Sequence, residues 1–313
     1  MGQQLTTGRQ LATAPLRLPL RVLGTLVAPA RTDLRRQVRR SLGVPADPVA
    51  PSTAPGATTA STGPDRPFLP ADSVARRVHG DLPSMLIGGL SALLLQSLHP
   101  LAMAGVADHS NYRDDALGRL RRTAAFVGYT TFGTAEEAER AIRQVQLVHR
   151  RVRGVAPDGR PYSADDPELV TWIHVAEMSS FLAACQRFGR RPLSAAERDA
   201  YWADTAVVAR ALGAEWVPET ADQAATYLSA IRPDLYAGAQ AMEARDFLLR
   251  GVGTRPNDRA VHAVIVAAAV TLLPDWARAA LGLPLPPLLD PLVVTPGARL
   301  LCTGLRWVVT PPG

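Results

Sequence analysis

The chain has 313 residues, enough for one folded domain with an appendage. It is rich in Ala and Leu and has only 5% aromatic residues, a balance that favours helix over sheet. Residues 1–40 hold eight Arg and one Asp, a charge that accounts for all of the chain's formal net charge of +6. Because the rest of the chain has no basic excess and no nucleic-acid-binding motif, we expect no nucleic-acid partner.

The N-terminal part has the composition of a disordered arm and linker. Residues 45–67 are rich in Pro, Ala, Ser, Thr and Gly, which cannot bury enough apolar surface to fold. We therefore predict residues 1–67 to be an Arg-rich arm and linker, largely disordered, and residues 68–313 to be an all-α domain. The charge of the arm is of the kind that makes a peripheral contact with an anionic membrane surface. Two distant cysteines, Cys185 and Cys302, indicate no disulfide framework, so the expected location is the cytoplasm.

One apolar stretch is long enough to cross a bilayer. Residues 82–107 contain no Asp, Glu, Lys or Arg. The stretch also contains Pro83, Gln96, His99 and Pro100, which are costly in lipid. The favoured interpretation is a buried core helix that ends near His99.

Helix signals follow one another from residue 81 onward. Asp81 can cap a helix that runs to about Leu98. Thr134-Ala-Glu-Glu137 is a capping box, and the apolar positions after it recur at helical spacing until Gly154. Further helices are predicted from Asp166 to Phe188, from Ser194 to Gly213, from Thr220 onward, and over residues 234–250 and 259–272. The prediction is an all-α bundle of seven to nine helices, with weak strand patterns only at residues 292–294 and 307–309.

His149 is the most informative histidine by position. It shares a helix face with Ile142, Val145 and Val152, so its ring should point inward, and Arg153 lies one turn further along that face. Two interpretations stay open. It is either a core histidine with an internal hydrogen-bond partner or an axial ligand of haem iron, for which a neutral imidazole nitrogen supplies the bond.

Arg119, Arg122 and Thr123 lie on one side of the preceding helix, because they are three and four residues apart. They form either a solvated basic face or a set of partners for an anionic cofactor. Haem propionates bind well to guanidinium groups, which offer several hydrogen-bond donors in a plane.

His99, Asp108 and His109 lie close together in the sequence and suggest a metal site. The cluster lacks the fixed spacing of a zinc-hydrolase motif such as His-Glu-x-x-His, so a metal-dependent hydrolase is only a weak alternative. The chain also has no P-loop, no dinucleotide-binding glycine fingerprint and no Gly-x-Ser-x-Gly elbow. The common nucleotide-dependent and serine-hydrolase classes are therefore excluded.

Five segments together resemble the MpaB/rubber-oxygenase family, which includes the latex-clearing proteins. They are LLLQSLHPLAMAGVADHSNY (93–112), GRLRRT (118–123), FGTAEEA (132–138), VHRRVRG (148–154) and DPELVTWIHV (166–175). The segments occur in the expected order, and the resemblance covers roughly residues 74–280. It favours the haem interpretation of His149.

The resemblance implies an all-α, globin-like fold that binds one haem b and performs oxygenase chemistry. His149 would be the proximal iron ligand and thus the metal-binding residue. Arg119 and Thr123 match the Arg-x-x-x-Thr element that lines the haem pocket in the family. Arg153 matches the arginine one turn after the ligand, and His99 belongs to a signature segment near the pocket.

Two departures from the rubber-cleaving members concern the chemistry. Those members carry a Lys just before the Thr, where this chain has Arg122, which does not give up its proton to bind iron. They also carry an upstream glutamate as a base, whereas Asp108 is the only acidic residue between Leu82 and Arg113 here. Asp108 or His99 is expected to shape the pocket. The departures argue against polyisoprene cleavage and leave haem-dependent oxygenation of another hydrophobic molecule.

The predicted function is therefore a haem b-dependent oxygenase that acts with O₂ on a hydrophobic small molecule. The predicted site consists of His149 as iron ligand, Arg119, Arg122 and Thr123 as catalytic side chains, and Arg119, Thr123, Arg153 and His99 as cofactor contacts. The alternatives are a non-catalytic haem protein, such as a sensor or carrier, and a haem-free metal-dependent hydrolase. No obligate protein partner is implied.

Overall fold

The computed structural model describes residues 65–250 and 256–309, and most of them are helical, so the all-α class is confirmed. The predicted disordered arm and linker cover residues 1–67, of which residues 1–64 lie outside the described residues. The α-helices are α1 Val74–His79, α2 Leu82–Gln96, α3 Pro100–His109, α4 Ala116–Phe132, α5 Ala135–His149, α6 Pro167–Phe188, α7 Ala195–Leu212, α8 Ala221–Ile231, α9 Ala239–Arg250, α10 Pro256–Leu272, α11 Asp275–Ala280 and α12 Thr295–Val309. The other elements are strands β1 Arg153–Val155 and β2 Pro161–Ser163, a 3₁₀ turn Arg232–Asp234 and a π-helical turn Asp290–Val294.

The described chain thus has twelve α-helices rather than seven to nine. The helix α3 was not predicted, because the apolar stretch was expected to be helical only as far as His99. The helices α1 and α11 are only six residues long, too short to give a clear apolar period. The weak strand patterns at residues 292–294 and 307–309 are wrong, because both segments are helical.

The helices α2 and α6 form the most extensive contact in the described chain. They run antiparallel, because Gly88 of α2 lies against Ser180 of α6, whereas Gln96 donates from Nε2 to the carbonyl of Ile173 (3.3 Å). Along its 22 residues α6 is buried on nearly all sides, as expected for a helix that is hydrophobic all round. Its few polar residues are consequently held in the interior.

The two helices approach closely because α2 has no side chain at Gly88. A Cβ there would lie 3.0 Å from the Ser180 carbonyl oxygen and 3.1 Å from both Phe181 Cα and Ala184 Cβ. Two of these three atoms belong to the backbone and cannot rotate away. The packing distance of the central pair therefore depends on a glycine at this position.

The first helix of the apolar stretch, α2, ends near His99 as expected. The chain turns by 105° between α2 and α3, and the His99 Nδ1 accepts a hydrogen bond from the amide of Ala102 (3.4 Å) at the start of α3. In the described part of the chain no single helix is long and apolar enough to cross a membrane. This bent pair reaches that length and composition only when its two helices are taken together.

Three helix starts predicted from capping residues are confirmed. Thr134 and Glu137 form a capping box at the start of α5, and Ser194 and Glu197 form another at the start of α7. The carboxylate of Asp166 caps α6. Local sequence therefore determines where three of the helices around the site begin.

Asp81 is the N-cap residue of α2, as predicted, but its side chain does not make the cap. Its carboxylate makes no capping hydrogen bond and instead accepts two from Arg306 of α12, at 2.7 and 2.6 Å. Arg306 also donates to the carbonyl of Phe188 at the end of α6. Both charged side chains are largely buried, so a long-range ion pair outcompetes the local cap and ties α12 to the central helices.

The helix α5 ends earlier than its apolar spacing predicts. It ends at His149 rather than near Gly154, and Arg153 begins β1. The strand pairs antiparallel with β2, and Gly154 lies opposite Tyr162. A Cβ at Gly154 would come within 2.5 Å of the Tyr162 hydroxyl, so the ring packs directly on bare backbone. Arg153 therefore does not lie on the helix face of His149.

We expect Gly88→Val to destabilise the protein by about 1–3 kcal/mol, because the new side chain must push α2 away from the α6 backbone. Gly304→Ala in α12 is the matched control. A Cβ there meets nothing within 4 Å, so removing a helical glycine should stabilise the chain by about 0.5–1 kcal/mol. Denaturant unfolding of both variants measures the difference, and a neutral Gly88→Val would contradict the close packing.

We expect Asp81→Ala to cost about 3 kcal/mol of unfolding free energy, because it leaves the largely buried Arg306 without its carboxylate. The control is Glu139→Ala, which removes an exposed partner of Arg143 and should cost less than about 0.5 kcal/mol. Chemical denaturation followed by circular dichroism measures both values. Equal costs would show that the Asp81 pair is no stronger than a surface pair.

Candidate functional site

One side of α4 is turned towards the interior and carries Arg119 and Thr123. Together with Phe126 and Thr130 these residues recur every three to four positions and share a helix face. Thr130 is buried, and Val127 beside it packs against a core cluster built on α6. The stripe is therefore inside the protein only at its C-terminal end: Thr130 is buried, Arg119 and Phe126 are half-buried, and Thr123 is exposed.

The interior side of α4 is only partly covered. Among the described side chains of residues 116–129 none is buried, although Leu120, Phe126 and Val127 are apolar. A helix of 17 residues in a globular domain normally buries one whole face. This side of α4 therefore keeps surface that a bound molecule could cover. We call the partly covered surface formed by Arg119, Thr123 and Phe126 the α4 cleft.

His149 is the last residue of α5, which packs against α4. It continues the face of Ala138 and Ile142, which are buried, and is itself half-buried. Its imidazole forms no hydrogen bond with another described residue. Burial lowers the pKa of His149, and the carboxylate of Asp165 opposes this only in part. The ring is therefore neutral at pH 7, which is the form that binds a metal.

Arg119 is a partly buried cation without an anionic partner in the described chain. Its only hydrogen bond there goes to the hydroxyl of Ser110 (2.8 Å), and no described carboxylate lies within ion-pair distance. Burial lowers the pKa of its guanidinium. A guanidinium held in this way is costly unless an anion binds to it, so Arg119 is suited to an external carboxylate or phosphate.

The other two predicted arginines lie at the surface. Arg122 is 68% exposed and pairs with Asp115 (3.3 Å). Arg153 is 61% exposed and pairs with Asp165 (3.0 Å). The structure therefore brings Arg119 to the interior side of α4 and leaves these two in exposed ion pairs.

The side chains of His99, Asp108 and His109 make separate contacts. His99 caps α3, Asp108 accepts a hydrogen bond from the Tyr162 hydroxyl (2.5 Å), and His109 Nε2 contacts the carbonyl of Arg153 (3.1 Å). Within the described ranges no group of three His, Cys, Asp or Glu could hold a metal ion. These three residues thus give no support to the metal-dependent hydrolase.

A hydrogen-bonded chain anchors the C-terminal end of α4 to the core. His79 of α1 contacts the Thr131 hydroxyl through Nδ1 (2.8 Å) and the Tyr201 hydroxyl through Nε2 (3.1 Å). Thr131 and Tyr201 are fully buried, and burial lowers the pKa of His79 to about 3. The chain connects α1, α4 and α7 and leaves its own polar groups satisfied.

Two polar side chains of α6 enter the interior without such partners. The buried His174 has an Nε2 atom with no hydrogen bond, and burial lowers its pKa to about 3. One turn later, Glu177 makes no hydrogen bond or ion pair with a described residue, and burial raises its pKa to about 7. Its side chain nevertheless keeps accessible surface. A group that is accessible yet removed from bulk water faces an internal space.

Sequence reasoning passed over Glu177, although a signal was present. After Glu168 in the first turn, Glu177 is the only carboxylate in α6, halfway along a helix that is otherwise almost entirely apolar or small. An ionisable residue in such a position is rarely structural, because burying it is costly.

A comparison with protein families gives a match over most of the chain. The family described as "ER-bound oxygenase mpaB/B'/Rubber oxygenase, catalytic domain" matches residues 76–307, a range that contains Arg119, Thr123, His149 and Glu177. No curated protein and no solved structure is significantly similar to the chain. The match confirms the resemblance seen in the sequence motifs, and the chain belongs to the mpaB/rubber oxygenase family.

Proposed function

We propose that this member of the oxygenase family uses haem b, with His149 as the proximal iron ligand, and acts with O₂ on a hydrophobic small molecule. The proposal rests mainly on the surroundings of the His149 imidazole. The ring is half-buried, is kept neutral by burial, and has no hydrogen bond to another described residue. An ordinary core histidine would be expected to have a hydrogen-bond partner.

The residues near α4 fit the needs of haem b. The cofactor requires a neutral imidazole for its iron and cationic partners for its propionates, and His149 and Arg119 supply these two chemistries. They lie on α5 and α4, which pack against each other. Arg119 is the better candidate for a propionate than Arg122, because Arg122 already has a carboxylate partner.

The apolar lining supports a hydrophobic substrate. Phe126 lies on the interior stripe of α4, and α2 carries no charged residue over its whole length. Leu86 and Leu93 of α2 are only half-buried, so apolar surface remains for a bound molecule to cover. Pockets for small molecules typically combine such walls with a few polar groups.

Haem b, when bound, supplies the redox chemistry that activates dioxygen. The protein's own contribution is to hold and orient. His149 would fix the cofactor, Arg119 would bind one of its carboxylates, and the Thr123 hydroxyl would offer a hydrogen bond inside the α4 cleft. The apolar side chains exclude water and position the substrate. Catalytic roles for Arg122 and cofactor contacts for Arg153 and His99 stay predictions from the sequence.

We make two further proposals, on the location of the protein and on the role of its N-terminal arm. We place the protein in the cytoplasm, and we expect its Arg-rich arm to make any peripheral membrane contact. The arm lies within residues 1–64, outside the described residues.

The absorption spectrum of the purified protein tests the iron ligand. We expect a Soret band at near-stoichiometric haem content by pyridine haemochrome, and we expect His149→Ala to lose or shift it, because the imidazole bond is gone. The control is His262→Ala, a half-buried histidine whose Nε2 contacts the carbonyl of Leu248 (3.0 Å). A colourless wild type that stays colourless after haemin is added would exclude the haem proposal.

Titration with haemin tests the anionic partner of Arg119. We expect Arg119→Ala to weaken haemin binding by about 10- to 100-fold, the range expected for losing a charge-assisted hydrogen bond in a partly buried site. Arg122→Ala is the matched control and should change the affinity by less than about threefold, because Arg122 is an exposed member of a surface pair. Equal losses in both variants would show that Arg119 has no special role.

A further inference from the structure

The position of Glu177 follows from two contacts that lie on either side of it along α6. A Cβ at Gly89 of α2 would lie 3.8 Å from the ring of Phe181, and Gln96 of α2 donates to the carbonyl of Ile173. Glu177 is one turn from each of these α6 residues and on the same face. Its side chain is therefore directed towards the stretch of α2 between Gly89 and Gln96.

This place adjoins α4. His79 connects this part of α6 to α4, because its ring lies 5.5 Å from the ring of Phe181, one turn from Glu177, and its Nδ1 contacts the hydroxyl of Thr131 (2.8 Å). The half-buried Glu177 consequently lies in the part of the core that adjoins the C-terminal end of α4. A single unpaired carboxyl group stands there among apolar walls.

We propose that Glu177 is the acid–base group of this site, which exchanges a proton with the hydrophobic molecule bound between α2, α4 and α6. The inference rests on the proposed function, because that molecule is the oxygenase substrate. In the forward step a bond from hydrogen to carbon or oxygen of the substrate breaks, its electron pair stays on the substrate, and an O–H bond forms on Glu177. Return of the proton restores the carboxylate, so the step consumes no oxidant or reductant.

The other interior titratable groups are less suited to this task. Burial lowers the pKa values of His79 and His174 to about 3, so both rings stay neutral at pH 7. Burial raises the pKa of Tyr201 well above its ordinary value, and the nearby Glu177 adds to this. The pKa of Glu177 itself, raised to about 7 by burial, lets both of its forms be populated at neutral pH.

The surroundings of Glu177 contain few charges that could pair with it. The helix α2 contains no Asp, Glu, Lys, Arg or His. Arg306 of α12 binds at Phe188, three turns further along α6. The titratable and charged groups that interact in this part of the core are His174 of α6, His79 of α1, and Tyr201, Asp204 and Arg210 of α7.

Infrared spectroscopy of the purified full chain measures the proton directly. As the pH is raised, we expect the wild-type protein to lose the carbonyl stretch of one protonated carboxyl group. The midpoint of this loss should lie near the Glu177 pKa of about 7. Glu177→Gln should lack this transition. Glu168→Gln, which removes the exposed carboxylate at the start of the same helix, should keep it. Identical titrations in all three proteins would overturn the proposal.

The raised pKa of Glu177 also predicts the direction in which the stability of the protein changes with pH. Native Glu177 holds a proton that the unfolded chain releases between about pH 4.5 and 7, so wild type should lose stability as the pH rises through this window. In Glu177→Gln the denaturation midpoint should fall less over that range and should exceed the wild-type value above it. Parallel pH profiles would contradict a protonated interior carboxyl group.

Cyanide binding to the haemin-loaded protein tests whether Glu177 serves the site. Hydrogen cyanide must give up its proton when it binds ferric haem, so Glu177→Gln should slow its association by about tenfold or more. Glu168→Gln should leave the rate unchanged, and Glu177→Asp, which keeps a carboxyl group, should restore part of it. Equal rates in wild type and Glu177→Gln would overturn the proposal.

Haemin uptake separates failure of this inference from failure of the proposed function. If the protein takes up no haemin while the infrared transition is present and lost in Glu177→Gln, the haem proposal fails and proton exchange at Glu177 is supported. If haemin binds and the substitution leaves the infrared transition unchanged, haem binding is supported and proton exchange at Glu177 fails.

Discussion

The close antiparallel contact between α2 and α6 determines where the other parts of the site can lie. Without a side chain at Gly88 the two backbones approach until the Ser180 carbonyl is in contact, and α6 becomes the axis of the core. Every residue of α6 is then inside or at the margin of the domain. His174 and Glu177 are polar, yet neither makes a side-chain hydrogen bond with another described residue, and burial shifts the pKa of both. A looser pair of helices would let water reach both side chains and would restore ordinary pKa values.

The interior polar groups fall into two classes, and the difference indicates which of them are structural. His79, Thr131 and Tyr201 satisfy one another by hydrogen bonds and join three helices. Arg119 and Glu177 carry or can carry charge, yet neither has an oppositely charged partner in the described chain. Each unpaired interior group of this kind costs about 1–3 kcal/mol. Such a cost is rarely retained by an ionisable group without a ligand to offset it, which makes Arg119 and Glu177 candidates for contact with a ligand.

How much could be predicted from the sequence depended on the range of the interaction. The all-α class and the starts of α5, α6 and α7 followed from helix propensity and from caps such as Thr134 and Ser194, which act within one turn. Predictions failed where a distant partner competes. Asp81 binds Arg306, more than 200 residues away, instead of capping its own helix. Likewise the pairing of β1 with β2 ends α5 at His149, although the apolar period continues.

For the site, too, the sequence predicted some features and missed others. The helical period placed His149 on the face of Ile142, and the structure has it half-buried there. The same period could not separate Arg119 from Arg122, which are three residues apart on a helix that exposes most of its surface. Only the position of Thr130 in the core shows which side of α4 is the inner one. The charge of the two arginines therefore does not show which of them faces the interior. The residues around each arginine determine its role.

A ligand in the α4 cleft would change the energetics of the fold as well as its chemistry. The middle of α4 buries no described side chain, and side-chain hydrogen bonds join the helix to its surroundings near its two ends, from Arg119 to Ser110 and between Thr131 and His79. A bound group that covers Phe126 and provides an anion for Arg119 would remove apolar surface from water and satisfy an unpaired cation in one step. Binding to the native state alone also stabilises it by mass action. The helix that carries half of the predicted site residues is thus the one whose stability a bound ligand would increase most. The unfavourable features of α4 in the protein alone are what a cofactor site requires.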